Sequence, residues 1–168
     1  LLPRFGGSAQ VWNGVSLFFQ LSLLLAYLYS HISLRIAGIG LQSILHCALL
    51  ILVISCSSLD FGHLLGQSSS SGQGVLPFSL AKILFSIAPF VLLLAATATT
   101  LQAWYGASCE AGSEDPYFLY RASNGGSLAA LLAYPFLIQR IWPLKEQLEL
   151  WSLSFLLLAS LVLLAALI

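Results

Sequence analysis

Long apolar runs dominate this chain, and short polar or glycine-containing breaks separate them. A helix that crosses the roughly 30 Å hydrocarbon layer of a bilayer needs about 20 mostly apolar residues. By that criterion the pattern predicts an all-α fold, a polytopic transmembrane helical bundle with about five spans, forming a single transmembrane domain over residues 1–168. The predicted spans are residues 11–30, 41–58, 78–103, 117–138 and 150–168.

The breaks between the runs carry residues that are typical of turns. Glycines at Gly38 and Gly40 separate the first two runs, and a Ser/Gly-rich stretch at about 60–75 predicts a flexible loop. Asp115 followed by Pro116 predicts a helix start, because Asp caps free amides and Pro suits the first helical position. Pro89 lies inside the third predicted span, where the loss of a backbone donor predicts a kink.

The composition supports a membrane protein and excludes a soluble enzyme. Hydrophobic residues make up 59% of the chain and charged residues only 7%, with a mean hydropathy of +0.95. Soluble domains carry about 25% charged residues, and a soluble fold of this length could not bury so much apolar surface. The formal net charge of zero gives no basic field for nucleic acid, so we expect membrane lipids and no nucleic acid as partners.

Residues near the span ends predict the orientation. One side of the membrane would carry four basic residues, Arg4, Lys82, Arg140 and Lys145. The other side would carry two, Arg35 and Arg121. Because cytoplasmic loops are enriched in Lys and Arg, this predicts a cytoplasmic N-terminus. The tryptophans also lie near span ends, where they favour the membrane interface: Trp12, Trp104, Trp142 and Trp151.

A stretch of small and polar residues in the fourth predicted span is the first candidate for function, because polar groups are costly inside a membrane. Its members are Ser123, Asn124, Gly125, Gly126 and Ser127. Ala122, Gly126 and Ala130 recur every four residues, a spacing that lets two helices approach closely, and Asn124 can hydrogen-bond across such a contact. The pattern therefore predicts helix packing, with a substrate or ion contact as the alternative.

Other polar residues extend these candidates. Thr97 and Thr99 in the third predicted span are expected to line the same polar seam. Arg121, just after the acidic residues Glu114 and Asp115, either snorkels to the interface and pairs with them or contacts a ligand.

His46 falls within the second predicted span, where it is either a core histidine or an axial ligand for haem iron or chlorophyll magnesium. No second spaced ligand and no Cys-x-x-Cys-His motif accompanies it. Phosphate-loop, zinc-protease and nucleophile-elbow motifs are missing from the sequence as well. The sequence therefore predicts no catalytic residue and no metal site. It leaves lipid as the expected bound molecule, with haem or chlorophyll at His46 as a minor alternative.

Several ordered segments carry a family resemblance. They include Leu-Pro-Arg-Phe-Gly-Gly at residues 2–7, Asp-Pro-Tyr-Phe-Leu-Tyr at 115–120 and Ala-Ser-Asn-Gly-Gly-Ser at 122–127. Together they resemble the membrane region of the bacterial fused major-facilitator/spermidine synthase proteins. That resemblance implies a multi-helix region of a bacterial cytoplasmic membrane. Many members also carry a soluble aminopropyltransferase-like domain, for which this sequence has no matching segment. Residues 96–102 lack a proline that relatives tend to carry.

Three functions are compatible with the sequence. The favoured one is a non-catalytic accessory or structural subunit that packs with other membrane subunits in a larger complex. The first alternative is part of a major-facilitator-like transporter for a small or cationic solute. The second, which the resemblance implies, is the membrane module of a spermidine synthase-like enzyme.

Overall fold

A computed structural model describes residues 8–56, 76–108 and 117–167. These residues are almost entirely helical and include no strand, which confirms the predicted all-α class. The long helices are α1 (Ala9–Cys56), α2 (Leu76–Ala107), α3 (Tyr117–Ala133) and α4 (Leu144–Ala165). A π-helical turn, Tyr134–Ile138, and a short helix, Gln139–Ile141, extend α3 towards α4.

Two of the sequence predictions fall outside the described residues. The Ser/Gly-rich loop at about 60–75 is one, and the helix start at Asp115 and Pro116 is the other, although α3 begins directly after that pair at Tyr117. Pro89 lies within α2, which continues as helix on both sides of it.

Helix α1 reverses direction at Gly38, where the backbone has φ +69° and ψ 174°. In a continuous helix, residues 29 and 46 would lie about 25 Å apart along the axis. Instead, Tyr29 Oη lies 3.3 Å from His46 Nδ1. The helix therefore folds back into a first arm, residues 9–37, and a second arm, residues 39–56. Glycine suits the left-handed φ at the reversal because it has no Cβ. The break that the sequence predicts between its first two runs thus lies at Gly38.

Among the described residues, three helices are long and apolar enough to cross a membrane: Ala9–Ser55, Ala81–Ala107 and Leu144–Ala165. They fit an integral membrane protein. This number differs from the predicted five spans for two reasons. The first two predicted spans are the two arms of α1, which are separated by Gly38 alone and belong to one of these three helices. The fourth, residues 117–138, changes from α-helix to π-helix at Tyr134.

The apolar core lies where α1, α2 and α4 meet. Its buried residues are Leu50, Phe90, Leu93, Phe155, Ala159 and Val162. Phe90 contacts Phe155 and Trp151 edge to face, with ring centroids 5.1 Å and 5.5 Å apart. Lipid tails are as apolar as leucine, so in a bilayer it is close packing rather than escape from water that holds such helices together.

Helix α3 differs from the other long helices because it has no buried residue. Near its start, Phe118 packs edge to face against Tyr105 of α2, with ring centroids 5.2 Å apart. Beyond this contact most of its large side chains are exposed, as the 71% exposed fraction of Leu131 illustrates. Most of the α3 surface therefore faces away from the rest of the described residues.

Candidate functional site

Polar side chains are buried where the two arms of α1 meet α2. The buried polar residues are Ser22, Ser30, Ser33, Gln42, His46, Thr97 and Thr100. Gln42 and His46 are four residues apart and therefore share one face of the second arm. We define the central polar cluster as the side chains that surround His46 and Gln42. It consists of Tyr29, Gln42, His46, Thr97 and Trp104.

Both ring nitrogens of His46 have hydrogen-bond partners. Nε2 lies 3.2 Å from Thr97 Oγ1, and Nδ1 lies 3.3 Å from Tyr29 Oη. The single proton of the Thr97 hydroxyl is donated to the Leu93 carbonyl at 2.7 Å. His46 Nε2 must then donate to Thr97, and Nδ1 must accept from Tyr29. This network assigns the Nε2-protonated neutral tautomer to His46.

Aromatic rings enclose His46 on two sides. The Tyr29 ring stacks on it with centroids 5.9 Å apart, and the Trp104 ring meets it edge to face at 6.0 Å. Trp104 also donates from Nε1 to Gln42 Oε1 at 2.6 Å. Gln42 is fully buried, and its side chain also forms a hydrogen bond with the Tyr29 hydroxyl.

A second polar contact joins the first arm of α1 to α2. Thr99 Oγ1 donates to Ser30 Oγ at 2.8 Å, and Ser30 Oγ lies 3.0 Å from the Ala26 carbonyl of its own helix. Ser22, Ala26 and Ser30 are buried and recur every four residues. Such a row of small residues lets the backbones of two helices approach closely.

The structure divides the polar seam that the sequence predicts into two groups. Thr97 and His46 belong to the central polar cluster, and Thr99 lies beside it on α2. The candidates on α3 are all exposed: Arg121, Ser123, Asn124, Gly125, Gly126 and Ser127. Within the described part of the chain, no hydrogen bond joins these α3 residues to Thr97 or Thr99.

The α3 candidates have few contacts of their own. Ser127 Oγ donates to the Ser123 carbonyl one turn earlier, at 3.0 Å. A Cβ added at Gly125 or Gly126 would meet no atom of another described part of the chain within 4 Å. Arg121 is exposed, and its predicted partners, Glu114 and Asp115, lie outside the described residues.

The geometry restricts what His46 can bind. An axial ligand of haem or chlorophyll must offer a free imidazole lone pair. In this tautomer the lone pair is on Nδ1, where Tyr29 donates to it. A metal centre bound through His46 would therefore have to displace the Tyr29 hydroxyl.

Sequence reasoning missed Tyr29 and Gln42, and it assigned Trp104 only to the interface. The spacing of Gln42 and His46 was a usable signal, because two polar residues four apart inside an apolar run face the same neighbour. The row formed by Ser22, Ala26 and Ser30 has the same four-residue spacing that was noted on α3. No local pattern joins Tyr29 to these residues, since that contact depends on the reversal at Gly38.

The central polar cluster is uncharged. Every Asp, Glu, Lys and Arg among the described residues is exposed, and the only described ion pair, Lys145 with Glu149, lies on the surface. The cluster therefore offers hydrogen-bond donors, acceptors and aromatic faces to a neighbour, and no fixed charge.

No family model, no curated protein and no solved structure matches the chain. The family resemblance of the ordered segments therefore stays a prediction, and the functional argument rests on the residues themselves.

Proposed function

We propose that this protein is a non-catalytic integral membrane subunit that packs through α3 against another membrane protein of a larger complex. One observation carries the proposal. Helix α3 contains a row of small residues suited to close helix packing, yet none of its residues is buried by the described part of the chain.

The small residues on α3 have the spacing of a face that packs against another helix. Ala122, Gly126 and Ala130 repeat at four-residue spacing, and Ser123 and Ser127 repeat beside them. Because no other described segment lies within 4 Å of a Cβ at Gly126, a partner helix could approach its backbone directly. Close approach increases van der Waals contact, which together with hydrogen bonds drives helix association in lipid.

The proposed topology has five crossings. The two arms of α1 would cross separately, at about 43 Å and 27 Å long, and α2 and α4 would each cross once. Helix α3 with its extension to residue 141 would supply the remaining crossing, at about 37 Å. The excess of basic residues on one side supports a cytoplasmic N-terminus, and the family resemblance supports a bacterial cytoplasmic membrane.

The same resemblance supports a module that works alongside other domains. In the fused major-facilitator/spermidine synthase proteins, a membrane region is joined to a soluble enzyme domain. If a separate chain provides such an enzyme domain, this protein is the membrane module that works with that chain. This enzyme-linked alternative keeps the same docking face on α3.

The test compares two leucine substitutions on neighbouring glycines. G126L fills the small-residue row, whereas G125L makes the same chemical change 100° around the helix and is the matched control. Native membranes are extracted in mild detergent, and co-purifying chains are identified by mass spectrometry after size separation. We expect defined partner subunits with the wild-type protein and G125L, and their loss with G126L. Purification of the wild-type chain alone or as a homo-oligomer would contradict the proposal.

Transport is the second candidate, and the central polar cluster favours it. Tyr29 lies nine residues before Gly38, which places its contact with His46 about 13 Å along the arms from the turn. Transporters bind their solutes near the midplane of the membrane. In proteoliposomes, a transporter would take up a small cationic solute, and H46L, N124L or R121A would abolish that uptake. If proteoliposomes that contain the wild-type protein take up none of a panel of such solutes, the transport function is ruled out.

A further inference from the structure

We infer that His46 makes the fold-back of α1 sensitive to pH. In the closed state, which the structure shows, hydrogen bonds of the neutral His46 ring join the two arms of α1 to each other and to α2. Protonation of the ring favours an open state, in which the second arm separates from its neighbours and His46 reaches water. This inference goes beyond docking through α3, because it concerns a contact inside the bundle.

The hydrogen bonds of the central polar cluster have a fixed direction. The indole Nε1 of Trp104 only donates, so the amide oxygen of Gln42 accepts from it at 2.6 Å. Tyr29 donates its single hydroxyl proton to His46 Nδ1 and therefore accepts in its hydrogen bond with Gln42. On the opposite side of the ring, His46 Nε2 donates to Thr97 Oγ1 at 3.2 Å. This arrangement requires that His46 Nδ1 carries no proton.

Protonation of His46 disturbs the arrangement in two ways. A proton on Nδ1 replaces the lone pair that accepts from Tyr29, so two donors then face each other across 3.3 Å. The imidazolium also places a positive charge in the low-dielectric interior of the bundle, where an uncompensated charge is costly. Rotation of the Tyr29 hydroxyl removes the first conflict and leaves the second. Both effects raise the free energy of the protonated closed state, and neither applies once water surrounds the ring.

No group in the described part of the bundle compensates this charge. Tyr29 faces His46 from the first arm. Thr97 and Trp104 face it from α2, and Cys47 follows it on the second arm. None of these side chains carries a negative charge near neutral pH. Every described Asp and Glu is exposed, and α4 contributes only apolar residues to the core.

The connection between the two arms allows them to separate as units. Within α1, only Gly38 has non-helical backbone angles. Glycine adopts a wider range of these angles than other residues, and such positions serve as hinges between rigid elements. A change of backbone angles at Gly38 is therefore sufficient to move His46 away from Tyr29 while both arms stay helical.

The experiment measures the distance between the arms by pulsed EPR at a series of pH values. The full-length protein in lipid nanodiscs carries spin labels at Q20C and S55C, and its three native cysteines are replaced by serine. Both labelled positions are exposed, and they lie about 27 Å and about 26 Å along their arms from Gly38. The labels therefore report separation of the arms without entering the central polar cluster.

We expect the arms to separate as the pH falls from about 8 to about 4, and the ratio of open to closed molecules to rise by up to about tenfold per pH unit. Acid favours the open state because that state binds the additional proton. H46Q keeps an uncharged donor for Thr97 and does not titrate, so its distance should stay constant. H31Q removes an exposed histidine of the first arm and should respond as the wild type does.

A constant distance in the wild type over this pH range would overturn the inference. An equal response in H46Q would also overturn it, because that variant retains the exposed carboxylates of Glu146 and Glu149 and the change would then belong to them. A protein with H31Q and H63Q has His46 as its only histidine, and ¹⁵N NMR reports the protonation of that ring directly. An imidazolium signal without separation of the arms would contradict the inference even if H46Q fails to fold.

Discussion

The indole nitrogen of Trp104 and the side-chain oxygen of Gln42 are 2.6 Å apart and form a hydrogen bond. Gln42 lies four residues beyond the reversal at Gly38, and Trp104 lies near the end of α2. This bond therefore ties α2 to the second arm of α1 close to the turn. It also determines that the amide oxygen of Gln42, and not its nitrogen, faces Trp104.

A double-mutant cycle of W104F and Q42M measures the strength of this bond. Interhelical hydrogen bonds in membrane proteins contribute about 0.6 kcal/mol on average and up to about 1.7 kcal/mol. We expect a coupling free energy of about 1 kcal/mol between the two positions, from unfolding by SDS in mixed micelles. The exposed Trp142 provides the control, since W142F and Q42M should be additive. Additivity of W104F and Q42M would show that the bond contributes no net stability.

Replacing Thr97 tests the hydrogen bonds of His46. T97V removes the hydroxyl that accepts from His46 Nε2, which leaves a buried donor unmet. We expect a loss of about 1–2 kcal/mol in the free energy of unfolding. T97S keeps the hydroxyl and should lose less. An equal loss in T97V and T97S would assign the effect to packing of the methyl group instead.

Gly38 and Gly40 form a matched pair with opposite expected outcomes. A side chain at the left-handed φ of Gly38 is strained, so G38A should lower the unfolding free energy by about 1–2 kcal/mol. Gly40 is helical and has open space around it, so G40A should keep or raise stability by up to about 1 kcal/mol. Thermal unfolding in detergent measures both variants. A stable G38A would contradict the role assigned to glycine at the turn.

The apolar core provides a further comparison, between two phenylalanines. Phe155 is 4% exposed and packs on Phe90, whereas Phe85 on α2 is 77% exposed. F155A should destabilise the bundle by about 3 kcal/mol, at the low end for Phe→Ala, because lipid also solvates the side chain. F85A should change stability by less than about 0.5 kcal/mol. SDS unfolding distinguishes the two variants, and equal losses would refute this assignment of the core.

The helical class and the break near Gly38 followed from the sequence because both depend on local patterns. Apolar runs determine helices, and a glycine between two runs permits a reversal. The way in which the helices are joined did not follow. The hydrophobicity pattern cannot show that Gly38 alone connects the two arms without a loop, or that backbone geometry changes to π-helix at Tyr134.

The candidate site was predictable only in part. His46, Thr97 and Thr99 were found because polar residues inside apolar runs are few and easily recognised. Their separation from the α3 residues was not predictable, since it depends on which helices pack together. The role of Tyr29 was not predictable either, because its contact with His46 depends on the reversal at Gly38.

The single-residue turn at Gly38 also limits how this chain can vary between relatives. Helical residues begin on both sides of Gly38, so no loop absorbs a change in length. One inserted or deleted residue between Tyr29 and His46 would rotate part of an arm by 100° and turn polar side chains towards lipid. We therefore expect homologous sequences to keep the length of the segment between Tyr29 and His46 constant, even where they exchange its apolar residues freely.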